Sequence, residues 1–220
     1  MSLTLYYHPL SSFCQKTLIA LYEGGLPFEP RLTDLGNPAD RAELGALWPL
    51  LKFPVLRDSA QRRDIPETSI IIEYLDRLLP PERRLIPAEP DAALEVRLWD
   101  RFFDHYVNQP MQQVVGDARF ARAVDRSGER ALLHTAYRMI DRRMSDRAWA
   151  AGGAFSLADC AAAPALFYAT TIEPIPDDCS HAHAYFERLL ARPTIARVFD
   201  EARPWFEFYP LRSAIAARFL

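Results

Sequence analysis

The sequence predicts an α/β domain over residues 1–80 followed by an all-helical domain over residues 91–220, with a linker at 81–90. Three observations predict this. Short apolar runs with strand character alternate with helix-like segments only in the first eighty residues. Pro80-Pro81, Pro87 and Pro90 crowd one short stretch, as an interdomain connection does. Beyond Asp91 the apolar residues recur at helical spacing. A chain of 220 residues is long enough for two modest domains, each with its own core.

Leu3 to Tyr7 is apolar and aromatic and reads as a strand stopped by His8-Pro9. Cys14, Leu18 and Leu21 fall at i, i+4 and i+7, one face of a helix that Ser11-Ser12 introduces and Gly24-Gly25 ends. An extended piece from Phe28 to Leu32 completes a β-α-β unit, and Asp34 to Leu44 carries weak helical signals. Lys52 to Leu56 reads as a strand with Pro54 near its start, which places it at an edge or a special turn. Arg57 to Asp64 reads as a hairpin turn into a short last strand. Ile71, Tyr74, Leu75 and Leu78 mark an amphipathic helix that starts near Thr68 and runs to Pro80-Pro81.

In the second domain, Trp99, Phe102, Phe103 and Tyr106 form an aromatic stripe on a helix that Pro110 kinks. Leu133, Ala136, Tyr137 and Ile140 form another stripe. Ser156 opens a third helix containing Pro164, and His181 to Leu190 opens a fourth, closed by Arg192-Pro193. Ser156-x-x-Asp159 has the form of a capping box, flanked by Phe155 and Cys160 in staple positions.

Half of the residues are hydrophobic and a quarter charged, the composition of a folded globular chain. A net charge of -3, with arginines scattered along helices, gives no reason to expect nucleic acid or an anionic membrane as partner. The start MSLTLYY has no basic segment followed by an apolar one, so secretion is not expected. Cys14, Cys160 and Cys179 are odd in number and far apart, which suits a reducing cytoplasm better than a disulfide framework. No metal-ligand pattern stands out.

Four segments then occur in a telling order: Tyr7-His8-Pro9-Leu10-Ser11-Ser12-Phe13-Cys14, Phe53-Pro54-Val55-Leu56, Glu67-Thr68-Ser69-Ile70-Ile71 and Phe155-Ser156-Leu157-Ala158-Asp159. With them the sequence resembles the glutathione S-transferase superfamily over nearly its whole length, and its serine-type classes (theta, zeta and tau) in the first segment. The resemblance implies a thioredoxin-like N-terminal domain, the helical C-terminal domain of the glutathione transferase fold, and glutathione as co-substrate. It also implies a homodimer and a hydrophobic electrophile as second substrate.

The resemblance places the thiol-activating hydroxyl at Ser11, with Ser12 and Tyr7 as alternatives. Lowering a thiol pKa from about 8.5 by two units requires roughly 2.7 kcal/mol of preference for the anion. A hydrogen bond to a charged group supplies about 1.5–3 kcal/mol, and a helix N-terminus adds about 0.3–1. One serine is therefore sufficient, although Ser11 and Ser12 are equally good helix caps on residue type alone. Ser11-x-x-Cys14 is a dithiol motif lacking its first cysteine, which makes Cys14 a buried helix residue rather than an attacking thiol.

By the same resemblance Pro54 is cis, and Phe53 pairs its backbone with the cysteinyl part of glutathione as an added strand. The family usually has a smaller aliphatic residue at Phe53. Lys52 approaches the glycine carboxylate, Thr68 receives the γ-glutamyl carboxylate and Glu67 faces the ammonium. The electrophile pocket draws on His105, Tyr106, Asn108 and Met111, and on Phe206, Phe208 and Tyr209 of the tail. Three functions follow as alternatives. One is a transferase that activates glutathione, with dehalogenation, ether cleavage and isomerisation as variants. The others are a glutathione-dependent disulfide or peroxide reductase, and a noncatalytic scaffold that keeps the fold.

Overall fold

The computed structural model describes residues 3–220 and divides into two compact units, one ending at Leu85 and one beginning at Ile86. Met1 and Ser2 lie outside the described residues.

The first unit begins with strand β1 (Leu3–Tyr7), helix α1 (Ser12–Gly24) and strand β2 (Glu29–Leu32). Gly25 ends α1 in the left-handed conformation, φ 62°, and its N–H reaches back to Leu21 and Tyr22, a geometry that glycine adopts without a Cβ penalty. Helix α2 (Pro38–Leu47) is capped by Asn37, whose side chain accepts from the Ala39 N–H. Strands β3 (Val55–Asp58) and β4 (Arg63–Pro66) lead to helix α3 (Thr68–Asp76). The sheet order is β2-β1-β3-β4, with β1 and β2 parallel and the other pairs antiparallel.

That mixed topology positions the site. Tyr6 pairs with Val55, and Val55 pairs with Pro66. The C-terminal end of β1, the N-terminal end of β3 and the C-terminal end of β4 therefore lie side by side at one end of the sheet. The segments carrying Ser11, Phe53-Pro54 and Glu67-Thr68 all leave the sheet there.

Three sequence expectations need correction in this unit. The turn expected over Arg57 to Asp64 is shorter, because Arg57–Asp58 belongs to β3 and Arg63-Asp64 to β4. Arg57 holds Asp64 across the pair through two hydrogen bonds, 2.7 and 3.0 Å, so charged residues here decorate strands rather than a loop. The strand also starts after Pro54 rather than before it. Helix α3 ends at Asp76, short of Pro80; the Asp76 carboxylate accepts from the Leu85 N–H at 2.6 Å and tethers the following segment.

The second unit holds α4 (Pro90–Phe102), α5 (Gln109–Arg119), α6 (Ser127–Met144), α7 (Leu157–Ala169), α8 (Ser180–Leu190) and α9 (Pro193–Ala202). All of α7 is buried, and α4, α5 and α8 pack on it. The Ser156 N–H and hydroxyl both donate to Asp159 at its start, 2.9 and 3.0 Å. Between α4 and α5 the backbone widens into a π-helical turn over Phe103–Asn108. The interruption or kink expected at Pro110 corresponds to this π-helical turn just before the proline, which itself stands in the first turn of α5. Among the described residues no helix is long and apolar enough to cross a membrane.

Candidate functional site

The loop between β1 and α1 is pinned along its length. The Ser11 N–H donates to the His8 carbonyl (3.0 Å), the Leu10 N–H to His8 Nδ1 (3.2 Å), and buried Gln15 Nε2 to the Pro9 carbonyl (2.8 Å). Ser11 is the N-cap of α1; its Oγ accepts from the Cys14 N–H at 3.3 Å. The same hydroxyl stands close enough to the Cys14 sulfur to favour its anion, and a serine hydroxyl rotates to suit its partner. Ser11 is half-buried, whereas Ser12 is only 4% exposed. Tyr7 ends β1 half-buried.

Cys14 is fully buried, and the loss of solvation pushes its thiol up to about 12, against weaker opposing bonds from Ser11 and His8. A thiol in that state is almost wholly protonated at neutral pH. All three cysteines are buried, and none is in a disulfide.

The peptide bond Phe53–Pro54 is cis. The Phe53 ring stacks on His8, with centroids 6.0 Å apart and planes 19° apart, and packs against the cluster of Tyr6, Leu44 and Val55. The aromatic side chain therefore fastens the proline loop to the Ser11 loop, which accounts for a residue larger than the family's usual aliphatic one. Lys52 is exposed beside it.

Helix α3 starts under strain. Glu67 precedes it at φ 68° and ψ 115°, a backbone region that residues with a Cβ rarely occupy. Its exposed side chain makes no capping hydrogen bond, so the first-turn N–H groups are not closed off by their own cap residue. Thr68 is buried in that first turn. Ser69, next in the chain, accepts from Lys16 Nζ at 3.0 Å, and Lys16 is only 1% exposed. Neither Lys16 nor Ser69 stood out in the sequence. The only signal was the polar run Gln15-Lys16-Thr17 in a helix whose apolar face was already complete.

The structure thus gathers Ser11, Phe53, Pro54, Glu67 and Thr68 at one end of one sheet. It does not gather the second-substrate candidates in the same way. Within the helical unit Asn108 and Met111 are interior, at 2% and 3% exposure, whereas Tyr106 and Phe208 stand out at 51% and 65%. His105 is exposed. Phe206 is buried against Phe167, and Tyr209 is held by a 2.8 Å bond between its hydroxyl and that of Thr171.

A family model described as the glutathione S-transferase N-terminal domain matches residues 5–83, and one described as the C-terminal domain matches residues 117–188. A protein of Caulobacter vibrioides, FtsZ-localized protein A, is 31% identical over 91% of this chain and 92% of its own. A glutathione S-transferase from Rhodospirillum rubrum aligns in structure with a TM-score of 0.76 and 27% identity, over 90% of this chain and 91% of its own. One from Methylobacterium radiotolerans, in complex with glutathione sulfonate, aligns with a TM-score of 0.72 and 28% identity, over 90% and 94%.

Proposed function

The chain belongs to the glutathione S-transferase superfamily, and from that premise we propose that it activates the thiol of glutathione for attack on a hydrophobic electrophile. The observation that carries this reading is the convergence of Ser11, Phe53-Pro54 and Glu67-Thr68 at one end of the sheet, held by the His8–Phe53 stack.

Each residue has a distinct task. The Ser11 hydroxyl, whose oxygen already accepts from Cys14, donates its proton to the glutathione sulfur and favours the thiolate. The backbone of Phe53 pairs with the cysteinyl residue, and Lys52 meets the glycyl carboxylate. The open first turn of α3, with the Thr68 hydroxyl, receives the γ-glutamyl carboxylate. Glu67 balances the ammonium. The thiolate then attacks the electrophilic carbon; a carbon–sulfur bond forms, and the displaced electron pair leaves with the leaving group or moves into the acceptor. Leu94 and Leu98, exposed one helical turn apart on α4, support a homodimer. Buried cysteines without a disulfide suit a cytoplasmic setting.

A reductase that attacks through Cys14 is disfavoured, since burial pushes that thiol up to about 12 and supplies almost no attacking thiolate; a reductase that uses glutathione itself stands as the alternative. The noncatalytic alternative has one observation in its favour, the identity to a protein named for its localisation with FtsZ. Calorimetric titration with glutathione, together with ultraviolet titration of the bound thiolate, separates these readings. The transferase reading expects binding in the micromolar to millimolar range and a thiolate pKa that rises in Ser11→Ala. Absence of binding at millimolar glutathione favours the scaffold, and an unchanged pKa in Ser11→Ala removes that residue from its role.

A further inference from the structure

A lysine that is 1% exposed needs a reason. Desolvating an ammonium is costly, and apolar side chains of similar volume at such positions often leave stability unchanged or higher. Lys16 also stands at the first turn of α3, through its 3.0 Å bond to Ser69 Oγ. A cation at a helix N-terminus opposes the helix dipole. The bond to Ser69 nevertheless ties the body of α1 to the first turn of α3.

Its position supplies the reason. Lys16 lies five residues after Ser11 on α1, one turn beyond Ser12, and helical side chains lean back toward the N-terminal end of their own helix. Its ammonium crosses to Ser69, the residue after Thr68. The two helix starts joined in this way are those that hold opposite ends of the ligand, the sulfur at Ser11 and the γ-glutamyl carboxylate at Thr68. We infer that Lys16 is a positioning residue, a crossbar that fixes the start of α3 relative to the start of α1 so that glutathione meets both together. The inference rests on the glutathione reading above and adds to it a residue that touches no substrate. Misplacement by about 1 Å between two groups that must act together is enough to cost substantial function.

The test compares wild type, Lys16→Met, Lys16→Arg and Ser69→Ala. Glutathione affinity is read by calorimetry, Tm by scanning calorimetry, and protection of the α3 first-turn amides by hydrogen exchange. Lys16→Met is expected to hold its Tm within a few degrees yet bind glutathione roughly tenfold more weakly, the scale of one lost charge-assisted bond. Lys16→Arg keeps a buried donor and restores affinity to within about threefold, and Ser69→Ala weakens binding severalfold. Wild-type affinity in Lys16→Met overturns the inference, as does an affinity loss that tracks the loss of Tm and is not restored by arginine. Should Lys16→Met fail to fold, Ser69→Ala decides, and unchanged affinity there overturns it. If wild type itself binds no glutathione, the transferase reading fails on its own. The crossbar is then judged by hydrogen exchange in Ser69→Ala, where unchanged protection of α3 overturns it.

Discussion

The start of α7 and the starts of α1 and α3 solve the same problem in opposite ways. At α7 the Asp159 carboxylate accepts from the Ser156 N–H and hydroxyl, from the Ala150 N–H (2.9 Å) and from the Tyr185 hydroxyl (2.7 Å), all sealed from solvent. Nothing is left over for a ligand. At α1 the cap is a single half-buried, rotatable hydroxyl, and at α3 the residue before the helix is a strained glutamate whose side chain caps nothing. A saturated helix start holds a domain together; an unsaturated one is available for chemistry. The three starts allow that distinction to be tested residue by residue.

The largest effect is expected at the saturated start. Asp159→Ala leaves four buried donors without an acceptor, and unpaired buried groups cost far more than a net hydrogen bond. Unfolding in urea is expected to show a loss of about 4 kcal/mol. Asp159→Asn keeps one acceptor oxygen but turns an amide toward the donors, and loses about 2 kcal/mol. A loss under 1 kcal/mol for the alanine variant would remove the contrast between the two kinds of start.

Ser11→Ala inverts the pattern. Losing a serine cap costs about 1 kcal/mol of stability. Losing a hydrogen bond to a thiolate costs about 1.5–3 kcal/mol of activation, or ten- to a hundredfold in kcat/KM. Function is thus expected to fall further than stability, the reverse of Asp159. Equal losses in both would reduce Ser11 to a cap.

The contrast also explains what the sequence made legible. Residues that act within a few positions of themselves were readable: Gly25 closing α1, Ser11 before it, Ser156 facing Asp159. Residues whose meaning depends on a distant partner were not. Arg57 and Asp64 look like turn residues until the partner strand shows them paired across β3 and β4. Where α3 ends, Asp76 accepts from Leu85, nine residues on. Lys16 is buried where α3 meets it, and only the polar run Gln15-Lys16-Thr17 hinted at that in the sequence. The second-substrate residues were hardest, since an aromatic stripe has the same spacing whether it fills a core, as Phe103 does, or faces outward, as Tyr106 does.

A smaller and oppositely signed pair of effects is expected at Glu67. Relieving a strained φ of 68° with Glu67→Gly recovers about 1–2 kcal/mol, offset by about 0.5–1 kcal/mol from the freer unfolded glycine. Stability is expected to rise slightly while glutathione binding weakens a few-fold through loss of the counter-charge. Glu67→Ala removes the same charge but keeps the strain, so it weakens binding equally without the gain in Tm. If both variants lose stability alike, the glutamate is held there for the fold rather than for the ligand.

The smallest effect belongs to Cys14, which lies beside Ser11 in the sequence yet on the buried side of this comparison. Burial disfavours its thiolate and raises its pKa to about 12. At pH 8 only about one molecule in ten thousand carries the anion. An alkylating reagent at that pH is expected to leave native Cys14 unmodified in peptide mass maps and to label it fully in urea. The labelling would grow as pH rises toward 12, because deprotonation follows the raised pKa rather than that of a free thiol. Cys14→Ala is expected to keep kcat/KM within about twofold, since a protonated, enclosed thiol contributes nothing that alanine lacks except volume, at a stability cost of about 1 kcal/mol. If that variant instead abolishes a disulfide-reducing turnover seen in wild type, the reactive group at this helix start is the thiol and not the serine three residues before it.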